Sequence, residues 1–394
     1  MSMQPRLSVH HPPWRAAAVA CAAAFPCLAG AQPQQQPHAP HAAPAAVRAA
    51  PAALPAAARA GGQATADQAP YRLRVVGGLA GITQFTQLEA PFWTRDLPRL
   101  SGGRFAADIV PFDRAGVPGM EMLRLLQLGV VPFGTTLMSS LSAQYPQYTA
   151  ADLPGLNPSI GALRTTVAAF RPYLEKTLRE EHGIEPLAIY TYPAQVVFCK
   201  RHLARLSDLA GRRIRVSSAA QADFISAVGG VPVLTSFAQQ PSSLESGESE
   251  CAVTGSMSGN ILGLHTMTSH LYPMPLTWGL AIFGANRAAW DALPQDLRVL
   301  LRAELPRLEA AIWASAERET ADGIACSVGK PECRAGSRGA MTLVAVSAED
   351  ERRARQLFTS TVLPRWLRRC TVRCADIWAR TIGPAHGIAA PPQP

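Results

Sequence analysis

The residues whose types and spacing point most directly to chemistry lie in Gly211–Gly230, GRRIRVSSAAQADFISAVGG. Arg213-Ile214-Arg215-Val216 alternates charged and apolar residues at the strand period of two, which predicts a short strand carrying Arg215. Ser217 and Ser218 offer an N-cap, and Ala219–Val228 can continue as a helix that stops at Gly229-Gly230. An arginine in that place can present its planar, permanently charged fork to a carboxylate. Helix N-terminal amides beside it favour the same anion. From the pattern alone, a solvated arginine or a structural ion pair is the competing reading.

Catalytic motifs are sought without success. Gly255-Ser256-Met257-Ser258-Gly259 has the outline of a serine-hydrolase elbow, but the nucleophile position falls on Met257. His265 and His270 are five apart, off one helical face, with no nearby carboxylate to complete a metal site. Gly77-Gly78-Leu79-Ala80-Gly81 follows a strand but lacks the dinucleotide-binding spacing and its acidic residue. Tyr192, Phe198, Phe237 and Trp278 sit beside predicted strand ends, where open α/β sheets place ligands. Core packing is the alternative for each.

The elements that must position these residues alternate along the chain. Tyr71–Val76 reads as a strand, Thr86–Leu100 as a helix, Phe105–Val110 as a strand, Glu121–Leu128 as a helix and Val130–Thr135 as a strand. This rhythm predicts an α/β region with a largely parallel sheet. It returns from Glu185 with Leu187–Tyr192, Val196–Lys200, Ile214–Val216, the helix after Ser218, and Ala252–Thr254. Two α/β halves suggest a cleft between lobes. From Leu297 to Ile324 apolar residues keep helical spacing for many turns, with Pro306 expected to kink or divide the helix. Glu349–Arg369 reads as a last helical segment, broken near Pro364.

Composition narrows the function classes. Arg6 and Arg15, the apolar run Ala16–Leu28 and Ala29-Gly30-Ala31 read as an export signal over residues 1–31. Residues 32–70, rich in Ala, Pro and Gln without an aromatic residue, read as a disordered tether. The globular region then spans 71–394, and no later run has the roughly 18 apolar residues a membrane helix requires. The net charge of +9 invites a nucleic-acid partner, but the arginines are dispersed and no nucleic-acid motif accompanies them. Nucleic acid is therefore excluded as a partner. Cys199, Cys251, Cys326, Cys333, Cys370 and Cys374 follow the signal, and an even set in an exported chain favours disulfides. A metal site shared by the last four is the alternative, although neither pair has C-x-x-C spacing.

Taken in order, GMEMLRLLQLGVVPFGTT, ADLPGL, YTYPAQVVFC, LSDLAGRRIRV, ADFISAVGGVPV, ECAVTGSMSGN and HLYPMPLTWG carry a family resemblance. From about Tyr71 to Val328 the chain resembles the periplasmic solute-binding subunit of TRAP (tripartite ATP-independent periplasmic) transporters. The resemblance implies a two-lobe α/β periplasmic-binding-protein fold, type II-like, with a long helix spanning both lobes. Lobe I would comprise about 71–192 plus 281–320, and lobe II 193–280 plus 321–394. It also implies a periplasmic protein that captures a small organic acid and delivers it to membrane permease subunits, without cofactor, metal or catalysis. Arg215 takes the place of the family's carboxylate-gripping arginine, Phe237 that of the phenylalanine packing on the ligand, and Thr254 that of a frequent asparagine. Ser218 and Gln221 face the expected ligand position, and Trp278, Thr83 and Thr135 join the candidate contacts. Gln195 replaces a second arginine found in many relatives, Ala238-Gln239-Gln240-Pro241 an acidic helix start, and Pro132 a common aspartate. A sensory input domain of the same fold is the nearest rival reading, and a secreted hydrolase the rival from another class.

Overall fold

The computed structural model describes residues 70–391. The export signal lies outside them, as does the tether up to residue 69. Among the described residues, eleven strands alternate with helices. They are β1 (Tyr71–Gly77), β2 (Phe105–Pro111), β3 (Phe133–Leu137), β4 (Ile184–Thr191), β5 (Gln195–Cys199) and β6 (Arg213–Val216). The others are β7 (Val231–Leu234), β8 (Cys251–Gly255), β9 (His270–Thr277), β10 (Leu280–Asn286) and β11 (Thr342–Leu343). They form one sheet of order β2-β1-β3-β10-β4 and a second of order β11-β9-β5-β8-β6-β7.

Neither sheet is purely parallel. In the first, β1 runs parallel to β2 and β3, while β10 is antiparallel to β3 and β4. In the second, β6 is parallel to β7 and β8, while β5 is antiparallel to β8 and β9. The two odd strands share one origin. Each is the first strand entered after the chain crosses between sheets, through Tyr192–Ala194 into β5 and through Trp278-Gly279 into β10. A strand entered from the other sheet must start where its neighbours end. That crossing is why the parallel sheets expected from the strand–helix rhythm are mixed.

Helices cover the sheets by burying apolar faces. Ile160–His182 starts on Ser159, whose hydroxyl accepts from the Ala162 N–H, and stops at Gly183 in the left-handed region. Leu163, Val167, Phe170, Leu174 and Leu178 give it a buried stripe at helical spacing.

The helix Gln295–Ser327 continues through Pro306 rather than dividing there. Pro306 is exposed, as is Arg302, whose carbonyl loses its donor, so the unmet carbonyl belongs to the solvent side of the helix. This helix ties the sheets together. Trp313 Nε1 donates to the Ile189 carbonyl and Glu309 accepts from the Ile189 N–H, both on β4. Further along, Thr320 Oγ1 accepts from the Ala194 N–H, and its carbonyl accepts from Ser256 Oγ. Gly323 lies so close to the Met257 backbone that no Cβ fits between them.

Ala348–Arg369 is likewise continuous where a break near Pro364 is expected. Phe358–Val362 widens into π turns immediately before the proline, which makes room for its ring. The cysteines pair as Cys199–Cys251, Cys326–Cys333 and Cys370–Cys374, so the metal site shared by the last four gives way to disulfides. No helix among the described residues is long and apolar enough to cross a membrane.

Candidate functional site

A cavity of about 530 Å³ lies between the two sheets. Chain direction explains its lining. Leu79, Phe112 and Leu137 follow or end β1, β2 and β3, while Ser217, Leu234 and Thr254 follow or end β6, β7 and β8. Gln195 and Leu280 reach it from the opposite polarity, as the first residues of β5 and β10. Ligands of open α/β sheets occupy this position, at the carboxyl ends of strands.

Arg215 is the charge at its floor. β6 lies between β7 and β8, so the side chain is only 2% exposed. Its Nε and Nη2 donate to the Thr235 carbonyl at 3.2 and 2.8 Å, and Nη1 donates to the Val253 carbonyl at 3.0 Å. Those two neutral acceptors fix the plane of the guanidinium without neutralising it. One N–H remains on each Nη, and among the described residues no carboxylate pairs with the group. Burial lowers its pKa to about 9, which still leaves it charged at neutral pH. A buried, oriented and unpaired cation is costly on its own and becomes favourable when an anion joins it.

The amide network beside it has a definite polarity. Ser218 caps the helix Ala219–Ala227 by accepting from the Gln221 N–H. Gln221 Oε1 accepts from the Ser217 N–H at 2.8 Å, which fixes which end of that amide is oxygen. Its Nε2 therefore donates to Gln195 Oε1 at 2.7 Å and to Thr277 Oγ1 at 2.8 Å. Gln195 in turn has its oxygen engaged and its NH₂ left over, against Gly279 at the cavity. The site thus offers donors: the remaining guanidinium N–H groups and the Gln195 amide.

Of the candidates read from sequence, Arg215, Gln195, Phe237 and Thr254 come together on the cavity wall. Ser218 and Gln221 line a small annex that Gln195, Ser217 and Gly279 share with it. Three candidates lie elsewhere. Trp278 donates Nε1 to the Asn157 carbonyl at 3.0 Å, which turns its ring into the core at the crossing. Thr135 is fully buried within β3, two residues before Leu137 reaches the cavity. Thr83 is buried beside Glu319 of the long helix. Sequence reasoning missed Leu79, Phe112, Met120, Ser139 and Leu234, although the ends of the predicted strands were the signal that could have found them.

Two buried carboxyls brace the backbone around the cavity, one at a crossing and one after β1. Asp152 accepts from the Trp278 and Gly279 N–H groups at 2.8 and 2.7 Å, yet desolvation raises its pKa to about 7. Glu89 accepts from the Gly78 N–H at 2.7 Å and from Gln84 Nε2, and burial raises it to about 7 as well.

With this geometry in place, comparison with known proteins is informative. The family described as bacterial extracellular solute-binding protein, family 7, matches residues 80–327. No curated protein matches the chain. Among solved structures, a Desulfovibrio salexigens TRAP periplasmic solute-binding protein with bound orotic acid superposes with a TM-score of 0.70 at 15% identity, covering 80% of this chain and 99% of that one. A Bordetella pertussis extracytoplasmic solute receptor binding pyroglutamic acid gives 0.68 at 19% identity, covering 78% and 98%. A Sulfurospirillum deleyianum TRAP periplasmic solute-binding protein with bound succinate gives 0.68 at 16% identity, covering 79% and 98%. At these identities the likeness establishes a shared two-lobe fold.

Proposed function

The chain belongs to bacterial extracellular solute-binding protein family 7, and on that premise we propose that it captures a small organic monocarboxylate in the periplasm and hands it to a membrane permease. One observation carries the reading: Arg215 is buried, held flat by two backbone carbonyls, and faces a cavity of about 530 Å³ without an acidic partner. A carboxylate meeting its remaining N–H groups forms a charge-assisted pair in a partly desolvated place, where such pairs are strong. The Gln195 amide and the Thr254 hydroxyl supply neutral contacts for the rest of the molecule. Pyroglutamate, orotate and succinate, bound by the three structural relatives, are all carboxylates. Binding of this kind needs no nucleophile or general base; closure of the lobes on the ligand is the signal a permease would read.

Charge arithmetic favours one carboxylate over two. Among the described residues Arg215 is the only cation lining the cavity, and Gln195 contributes hydrogen bonds without charge. A second carboxylate buried without a partner costs several kcal/mol. The test is a thermal-shift panel of matched acids, pyroglutamate and butyrate against succinate and glutarate at equal concentration, alongside native mass spectrometry for a co-purified acid. Larger stabilisation by the monoacids supports the reading. Larger stabilisation by the diacids, or turnover of a bound acid, overturns it.

A further inference from the structure

The two walls of the cavity differ in chemistry. On the side of the second sheet stand Arg215, Gln195, Ser236, Gln239, Thr254 and Ser258, which include the cavity's cation and both of its side-chain amides. On the side of the first sheet stand Leu79, Phe112, Val117, Pro118, Met120 and Leu137. Apolar residues also overhang from the second sheet, as Phe237 and Leu234. Met120 is 49% exposed and Leu234 is 67% exposed, although both line the cavity. Large apolar side chains left open at a cleft gain free energy when apolar surface covers them.

The first wall carries fewer polar groups, Asp113, Ser139, Ser140, Ser142 and Tyr192. Ser142 Oγ is engaged, accepting from the Ala219 N–H. Asp113, the only acid lining the cavity among the described residues, has one oxygen accepting from the Ala80 N–H and is otherwise exposed. A polyhydroxylated body placed on this wall would leave hydroxyls without partners. A second carboxylate there would meet the Asp113 charge.

Building on the carboxylate reading of Arg215, we propose that the ligand is an amphipathic monocarboxylate. Its carboxylate lies against the second sheet, and an aliphatic or aromatic body lies against the Leu79–Phe112–Val117–Met120 wall. Sugar acids and short dicarboxylates are then poor ligands.

The experiment is calorimetry on the purified protein with straight-chain monocarboxylates from propanoate to octanoate, 3-phenylpropanoate, gluconate and succinate. Each is repeated with Arg215→Met. Burying one more methylene tightens binding by roughly three- to fourfold, so the dissociation constant should fall by about that factor at each step until the cavity is filled. Gluconate and succinate should bind more weakly than hexanoate by at least about tenfold. Met120→Gln and Leu234→Gln, at exposed positions, should flatten the chain-length series. A flat series together with Arg215-dependent binding of gluconate or succinate overturns the apolar-body inference and leaves the carboxylate reading standing. Absence of Arg215-dependent binding by every acid overturns both.

Discussion

Replacing Arg215 by methionine separates a binding cation from a structural one, because the two roles predict opposite effects on the ligand-free protein. The guanidinium pKa falls from 12.5 to about 9 on burial, which at about 1.4 kcal/mol per unit corresponds to roughly 4–5 kcal/mol of unfavourable charge burial. Methionine removes that cost and keeps most of the side-chain volume. Against it stand the hydrogen bonds to the Thr235 and Val253 carbonyls, whose loss costs about 1–3 kcal/mol per buried group. The terms nearly cancel, so urea unfolding without ligand should move by less than about 2 kcal/mol. Binding should behave differently. Losing one partner of a desolvated charge pair costs about 3–5 kcal/mol, or on the order of a hundred- to several-thousandfold in affinity. Calorimetry with the tightest acid of the monocarboxylate panel reads that loss directly. Arg215→Lys should rescue little, since an ammonium cannot reproduce the fork. An affinity for Arg215→Met within threefold of the parent refutes the clamp. So does a ligand-free protein that loses more than about 4 kcal/mol, which would make the arginine structural.

Three other outcomes follow from named contacts. Gln221→Leu frees the Gln195 amide to rotate, so affinity for the best acid should fall about tenfold while folding persists, the scale of one hydrogen bond to a charged group; an unchanged calorimetric affinity would show that the polarity of the network is irrelevant. Glu89 and Asp152 have pKa values raised to about 7, so the stability they contribute is complete below their unfolded values near 4 and is lost as pH rises through 7. Urea unfolding at pH 5.5 and 8 should therefore show a loss at the higher pH that Glu89→Gln reduces, and an identical pH slope in the variant would count against it. Reduction-proof replacement of both Cys199 and Cys251 by serine opens a loop of 52 residues and should cost up to about 4 kcal/mol; a change below about 1 kcal/mol would mean that the strand pairing alone holds β5 to β8.

How much of this was legible in the sequence depended on whether local pattern or long-range geometry set the feature. The Arg215 strand, the Ser218 cap and the helix that follows are local, and the alternation and capping signals found them within a residue. The long helix was equally clear from its apolar spacing. Pro306 does not divide that helix, because whether a proline interrupts a helix depends on the surroundings of the carbonyl it orphans, and exposure is a tertiary property. Mixed sheets were missed because strand polarity is fixed by where the chain crosses, which period and propensity do not encode. The same gap produced the site errors. Thr135 and Leu137 are neighbours on one strand, and only the length of β3 decides which reaches the cavity. Trp278 follows a strand, yet at a crossing its backbone N–H is held by Asp152 and its ring is turned into the core toward the Asn157 carbonyl, away from the cavity.

That crossing also explains why binding and lobe geometry are mechanically joined in this chain. Gly279 donates its N–H to Asp152, and its carbonyl accepts from the Tyr192 N–H, so it bonds both to the helical segment behind it and to the other crossing strand. Its φ of 76° lies in the left-handed region, and a Cβ there would come within 2.6 Å of Gln195 Nε2. Glycine is thus required twice, by conformation and by contact. Gln195 therefore rests its donor end on the crossing itself while its oxygen is held by Gln221. Any ligand that draws on that amide therefore acts next to the point where the two sheets are connected. Gly279→Ala should consequently impair affinity and closure together: calorimetric binding should weaken, and the ligand-induced compaction seen by small-angle X-ray scattering should shrink in parallel. Weakened affinity with full compaction would uncouple the two and place the hinge elsewhere.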